Sequence, residues 1–506
     1  MDDFAAWTPE LGARLKDYKN MVDTPVLTNI RSGLTLADYT PVRTVKGNYE
    51  LNWLALSRYC EEAGYIRKVS SDGEITLYQF DLGSGYYKAV SPKILVLELI
   101  NGIKSVAPDM VLPVKFQGMV EINIISCLRT TEELAATEER RALAQLYTDG
   151  ETIPFRNGVY SIKRNELLPR TSYVFIEHPL NVDFNPEALS DPIYLRYRDM
   201  MCGDERLYEL LFEQIGYAMY ARTFTVPTCT IFYGGGSNGK SIVLKILSKI
   251  IGERNISSLT LNDMTNAFTV ARSEDKLINI THDASPASAN SNLTATSNIV
   301  EFIKKSTSGE PHTFNPKNGT VHEGYGPRKF IFATNVMLNF GSMDGGLARR
   351  MYTIPFNATF KQDAAVEDSF FEKKAVEWFA MKALVSLLCM LRRRMGDRLF
   401  TESKLDGTYI QCDAANEMKS EQMAAQDTVL DWLSTDLELD IQDKQSVKDA
   451  LVDQVELYKT YSRFCSDTGR QAKSMRQFHA TLKSMFGITQ RRSMRDGAHV
   501  YIAADL

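Results

Sequence analysis

The 506-residue sequence predicts a multidomain α/β protein, and three observations lead there. The chain is too long for one hydrophobic core. Between about 204 and 356, short apolar runs alternate with helical patterns, as in an open α/β sheet. On either side the pattern changes: a mixed α+β region precedes that stretch, and a compact helical-then-hairpin unit closes the chain.

In chain order, a helical pattern covers 51–63, and strand-like alternation covers 74–80 and 86–90. A charged helix is expected over 130–147. In IPFRNGVYSIKRNELLPR, Asn157-Gly158 favours a tight hairpin turn. Residues 204–220 read as an amphipathic helix. Residues 364–394 are strongly helical and end in the basic LRRRMGDR. These patterns divide the chain into 1–130, 131–205, 206–400 and 401–506.

Composition narrows the class. A hydrophobic share of 44% and a charged share of 24% are ordinary for a globular protein. No apolar run reaches the ~18–20 residues of a membrane span, and the start lacks the basic-then-apolar order of a secretory signal. The seven cysteines lie far apart without a CxxC pair, which argues against zinc and against a disulfide framework. A cytoplasmic location is expected. The net charge is −5, yet from Lys459 to Val500 nine Lys and Arg face two Asp. Such asymmetry suits a tethered nucleic-acid-binding module, or else a solvated basic face.

The sharpest chemistry lies in TIFYGGGSNGKSIVLKILSKIIG. A short apolar strand leads into Gly234, Gly235, Gly236, Ser237, Asn238, Gly239, Lys240 and Ser241, and an amphipathic helix follows. The pattern G-x-x-x-x-G-K-S is complete. Glycines let backbone N–H groups wrap phosphates, and the helix N-terminus adds its dipole. Lys240 is placed to reach the β and γ phosphates of ATP, and Ser241 to hold Mg²⁺. Such a loop needs an acid on a neighbouring strand. KLINITHDAS supplies Asp283, for the metal, at a strand end. RKFIFATN ends in Asn335, which can hold an attacking water. GGLARRMYTIPF places Arg349 and Arg350 before another strand, where an arginine can act on a neighbouring subunit's phosphate or form a surface salt bridge.

The order of glycine loop, acidic strand end, KKSTSGE, FATN and LARRMYTIPF resembles the core of superfamily 3 DNA helicases. IPFRNGVYSIKRNELLPR and LFEQIGYAMY resemble the lead-in segment of phage and plasmid primase-helicases and their poxvirus relatives. LYKTYSRFCSDTGRQAKSMRQFHATLKSMFGI resembles their terminal winged-helix unit. The likeness covers about 150–506. It implies an AAA+-like P-loop ATPase core with a mixed N-terminal region and a C-terminal winged helix. It matches Lys240 and Ser241 to the phosphate and metal ligands, Asp283 to the second acid of the strand-end motif, and Asn335 to the sensor. It matches Arg350, more closely than Arg349, to the arginine finger. In HTFNPKNGTVHEGYG it implies a channel hairpin with Lys317 contacting DNA, and Lys304 and Lys305 as further contacts. The terminal helix offers Arg476 and Lys483, and a basic wing turning at Asp496-Gly497 offers Arg491, Arg492 and Arg495.

Two departures stand out. His282 occupies the place where many members carry a first acid, which leaves the catalytic base open. The first 200 residues lack a strand-borne D-x-D and paired cysteines, so no primase is expected in this chain. The implied activity is a replicative helicase of a phage or mobile element, using ATP and Mg²⁺ in a ring, as a hexamer, moving 3′ to 5′ on single-stranded DNA. Its expected partners are single-stranded and forked DNA and a separate primase or initiator, with no membrane. Competing readings are a packaging or remodelling motor and a non-catalytic origin-binding initiator.

Overall fold

In a computed structural model, the apolar runs CTIFY, INIT, FIFAT and MYTIP form strands Cys229–Tyr233, Ile278–Thr281, Phe330–Thr334 and Met351–Pro355. The structure describes residues 4–505 except 21–25, 70–72, 74, 136, 149–150, 222–225, 285–292, 318–319, 339, 341–344, 402–404, 452–456, 469–471 and 496–497, and excludes the side chains of 4–6, 135, 138–139, 148, 293–297, 425–426 and 490–505. With the short strand Ile256–Ser257, these runs make one five-stranded sheet. Its order is Ile256–Ser257, Ile278–Thr281, Phe330–Thr334, Cys229–Tyr233, Met351–Pro355, and every pairing is parallel.

A parallel sheet must be covered on both faces. Strand alternation sends Phe232, Ile331, Ala333 and Ile354 to one face, against helices Lys240–Ile251, Glu205–Met219 and Lys373–Met395. Ile231, Phe330, Phe332 and Met351 face the other way, toward helix Leu293–Ser308 and the C-terminal helices.

The helix Glu205–Met219 is not amphipathic in its setting: everything from Leu207 to Met219 is buried. It lies along Lys373–Met395, and a Cβ on Gly216 would run into the Ala383 carbonyl. Charges between the two helices are paired, Glu209 with Lys382 at 2.5 Å and Glu213 with Arg393 at 2.8 Å. The expected helix over 364–394 is broken at 370–372 into Ala364–Ser369 and Lys373–Met395. The charged stretch after 130 forms a short 3-10 turn over Glu133–Ala135 and an α-helix over Glu138–Thr148.

The N-terminal boundary differs from the expected one. Helix Phe4–Lys16 puts Leu11 and Leu15 into the main core beside Lys373–Met395. Strand Lys19–Asn20 extends the sheet of Thr152–Phe155, Gly158–Ser161 and Glu166–Leu168. A separate core, with Leu56, Leu99 and Val120, gathers helices Trp53–Glu62 and Pro92–Val106 near the sheet Tyr65–Val69, Ile75–Asp81, Tyr86–Ala89.

The C-terminal unit comprises Lys444–Leu451, Leu457–Asp467, Met475–Phe486 and the hairpin Ile488–Arg495/Ala498–Asp505. It is packed rather than tethered. Trp432, Tyr461, Phe478 and Met485 share one core with Ile231 and Phe332 of the sheet. Among the described residues no helix is long and apolar enough to cross a membrane.

Candidate functional site

The interior strand Cys229–Tyr233 ends level with its neighbours, since Tyr233 pairs with Thr334 on one side and Pro355 on the other. The three sequence segments singled out for chemistry therefore meet at one edge, at the C-terminal ends of parallel strands. Ligands of open α/β sheets bind at such edges. Gly234 N–H donates to the Thr334 carbonyl at 3.2 Å, and Ala284 N–H to Ala333 at 2.7 Å, which fixes the neighbouring strand ends.

The loop Gly234–Gly239 needs its glycines. Gly236 and Gly239 have φ of +106° and +91°, in the left-handed region, and Ser237 joins them at +48°. A Cβ at Gly234 would collide with Asn238 and the Phe356 carbonyl, and one at Gly239 with Met200. Gly235 opens on free space. Helix Lys240–Ile251 starts directly after the loop, with Gly239 as its N-cap.

Lys240 is 6% exposed. Its Nζ donates to the Gly234 carbonyl at 2.6 Å, to Asn238 Oδ1 at 3.1 Å and to Asn335 Oδ1 at 3.1 Å. Burial lowers its pKa, and the charge of Asp283 opposes that shift. Asn238 is itself held, donating Nδ2 to the Phe356 carbonyl at 3.0 Å. Ser241, Asp283 and Asn335 are exposed around this ammonium. Burial, then the charge of Lys245, lowers the pKa of His282. The arrangement offers an anion one cation and a loop of backbone N–H groups, with the side-chain oxygens of Ser241, Asp283 and Asn335 exposed at the same site.

The two arginines differ. Arg350 is 3% exposed. Its guanidinium donates to Thr307 Oγ1 at 3.0 Å, Gly346 O at 2.7 Å and Ser308 Oγ at 2.7 Å. Arg349 is exposed.

Lys317 is exposed on the turn between strands His312–Phe314 and His322–Gly324, whose pairing runs from His312–Gly324 to Phe314–His322. Residues 318–319 of that turn lie outside the described residues. The hairpin is anchored at its base by His312 Nε2 against Ser306 Oγ at 2.8 Å and at its turn end by His322 Nε2 on Glu274 at 2.8 Å. Lys304 and Lys305 lie half-buried on Leu293–Ser308, and Lys305 pairs with Glu301 at 2.8 Å. In the C-terminal unit, Ser474 and Gln477 form a capping box at the start of Met475–Phe486, and Arg476 and Lys483 are exposed. Arg491, Arg492 and Arg495 fall on strand Ile488–Arg495, with side chains outside the described residues, as is the turn at 496–497.

Sequence reading missed the stretch 356–360, which runs back across the glycine loop, and Met200, which closes over Gly239. Only a lone Phe360 in the polar NATFKQD could have signalled the first.

A family of unknown function, DUF5906, matches residues 232–350, the stretch from the end of strand Cys229–Tyr233 to Arg350. Solved structures that match include the apo structure of the NrS-1 C-terminal region (305-718), at 12% identity and a TM-score of 0.45, covering 90% of this chain and 99% of that one. The A form apo structure of the NrS-1 C-terminal region matches at 11% identity and a TM-score of 0.42, covering 89% and 98%. No curated protein matches the chain.

Proposed function

We propose that this chain is an ATP-driven DNA helicase that works as a ring, a hexamer by resemblance, on single-stranded and forked DNA. The observation that carries the reading is Lys240: a buried ammonium joined to the glycine loop and to Asn335 at the edge of a parallel sheet. The strand order, with the loop on an interior strand between Phe330–Thr334 and the edge strand Met351–Pro355, supports an AAA+-like P-loop core. Three helices followed by a hairpin support a winged-helix unit whose Arg476 and Lys483 face forked DNA.

In this reading water attacks the γ-phosphorus, the bond to the bridging oxygen breaks, and ADP and phosphate leave. The loop N–H groups hold phosphate oxygens, and Lys240 exchanges its carbonyl acceptor for them. Asn335 orients the water. His282 and Asp283 are the groups able to take its proton. Mg²⁺ supplies charge neutralisation, and the exposed oxygens of Ser241 and Asp283 suit such a hard cation. In this reading the arginine that acts on a neighbouring subunit's phosphate is the exposed Arg349, not Arg350, whose guanidinium is buried and engaged by Thr307, Gly346 and Ser308.

Lys240→Ala should fold normally and lose ATP hydrolysis by roughly a hundred-fold or more. Near-wild-type turnover in the purified variant would rule the site out. Strand displacement on a forked duplex separates a helicase from a packaging motor, and DNA-stimulated ATP hydrolysis separates either from a non-catalytic initiator.

A further inference from the structure

After strand Met351–Pro355 the chain turns back over the glycine loop and is fastened there at three points. Phe356 N–H donates to the Tyr233 carbonyl at 2.7 Å, its own carbonyl accepts from Asn238 at 3.0 Å, and Phe360 N–H donates to the Ser237 carbonyl at 2.8 Å. The two aromatic rings of this strap have opposite environments. Phe356 is buried, with its ring 5.2 Å from that of Phe232. Phe360 is 40% exposed although its backbone is fixed to the loop. Val366, also exposed, follows a few residues on, and its carbonyl accepts from Arg196 at 3.3 Å.

An apolar ring left in water beside a phosphate loop suits a ligand that is anionic at one end and flat and apolar at the other. A nucleoside triphosphate has that form. We propose that Phe360 is the platform on which the nucleobase stacks, with the strap setting its distance from the phosphates. The inference rests on the nucleotide reading above and adds to it the residue that recognises the base. Stacking uses the π-face that every base presents, so an aromatic side chain there serves without reading base edges.

The test compares Mg-ATP with Mg-tripolyphosphate, which has the phosphates and no base, on the full chain. Phe360→Ala should weaken ATP binding about ten-fold or more, the scale of one base–aromatic stack, and leave tripolyphosphate binding unchanged. Phe360→Trp should keep ATP affinity, and its added fluorescence should be quenched by ATP and not by tripolyphosphate. Equal losses for both ligands would make Phe360 a support of the loop and overturn the proposal. So would unchanged ATP binding by Phe360→Ala, or an indole that ATP leaves unquenched. A wild-type chain that binds neither ligand, or a Lys240→Ala chain that binds tripolyphosphate normally, would instead sink the nucleotide reading and this inference with it.

Discussion

Arg349 and Arg350 are identical in type and adjacent, so nothing in the sequence distinguishes their environments. Their difference is rotational: the turn after Gly345–Ala348 aims the first side chain outward and the next into the protein. Arg350 ties that turn to the end of Leu293–Ser308 through Thr307 and Ser308. Removing it takes a donor from the buried Thr307 hydroxyl and empties a buried site, which costs about 1–3 kcal/mol. Arg350→Ala should therefore lower the urea midpoint markedly. Arg349→Ala should stay within about 0.5 kcal/mol of wild type, bind ATP normally and hydrolyse it poorly. Mixed with Lys240→Ala subunits, Arg349→Ala should recover part of the activity at interfaces that pair an intact loop with an intact arginine. If exchanged subunits recover nothing, Arg349 does not act across an interface.

At the scale of elements, the hairpin His312–Phe314/His322–Gly324 was legible from its turn chemistry, but what holds its base was not. His312 lies next to Phe302 and donates to or accepts from Ser306, contacts made across sequence and invisible to a local pattern. Burial, then the charge of Lys305, lowers its pKa to about 4, with Glu301 opposing. Folded His312 thus stays neutral where the unfolded residue, near 6.5, takes up a proton. Stability is full above about pH 6.5 and falls as pH drops toward 4, by up to about 3 kcal/mol. Urea midpoints measured across that window should fall more steeply for wild type than for His312→Asn. Parallel curves would mean that His312 titrates normally. The same non-local logic explains Glu205–Met219. Its polar positions suggested a wet face, but Glu209 and Glu213 meet Lys382 and Arg393 of a helix that begins more than 150 residues later.

Over the whole molecule, the strand–loop–helix order and the strand ends that carry Asp283 and Asn335 were legible, because spacing and apolar runs fix them locally. Domain borders were less so: helix Phe4–Lys16 joins the core of a later segment, and the basic C-terminal unit shares a core with the sheet instead of hanging from a linker. That packing separates two groups of exposed cations. Arg476 and Lys483 lie on a helix whose Phe478 and Met485 are embedded in the shared core, while Lys317 sits on a turn beyond its own small hairpin. The helicase reading gives these groups different work. Arg476 and Lys483 contribute phosphate contacts that hold DNA, so the double alanine variant should flatten the salt dependence of forked-DNA affinity by roughly 1.5 in the log–log slope. Its ATP hydrolysis should still respond to saturating DNA. Lys317 contributes one contact per subunit in the channel, so Lys317→Ala should flatten that slope by only about 0.7, the single-strand value for one phosphate, and basal hydrolysis should persist because among the described residues no hydrogen bond or ion pair joins Lys317 to Lys240 or the glycine loop. What Lys317→Ala should lose is DNA stimulation of hydrolysis, together with strand displacement. Loss of basal hydrolysis would assign Lys317 to the nucleotide site. Normal unwinding would move the channel contact to Lys304 or Lys305, the half-buried cations of Leu293–Ser308 that lead into the hairpin.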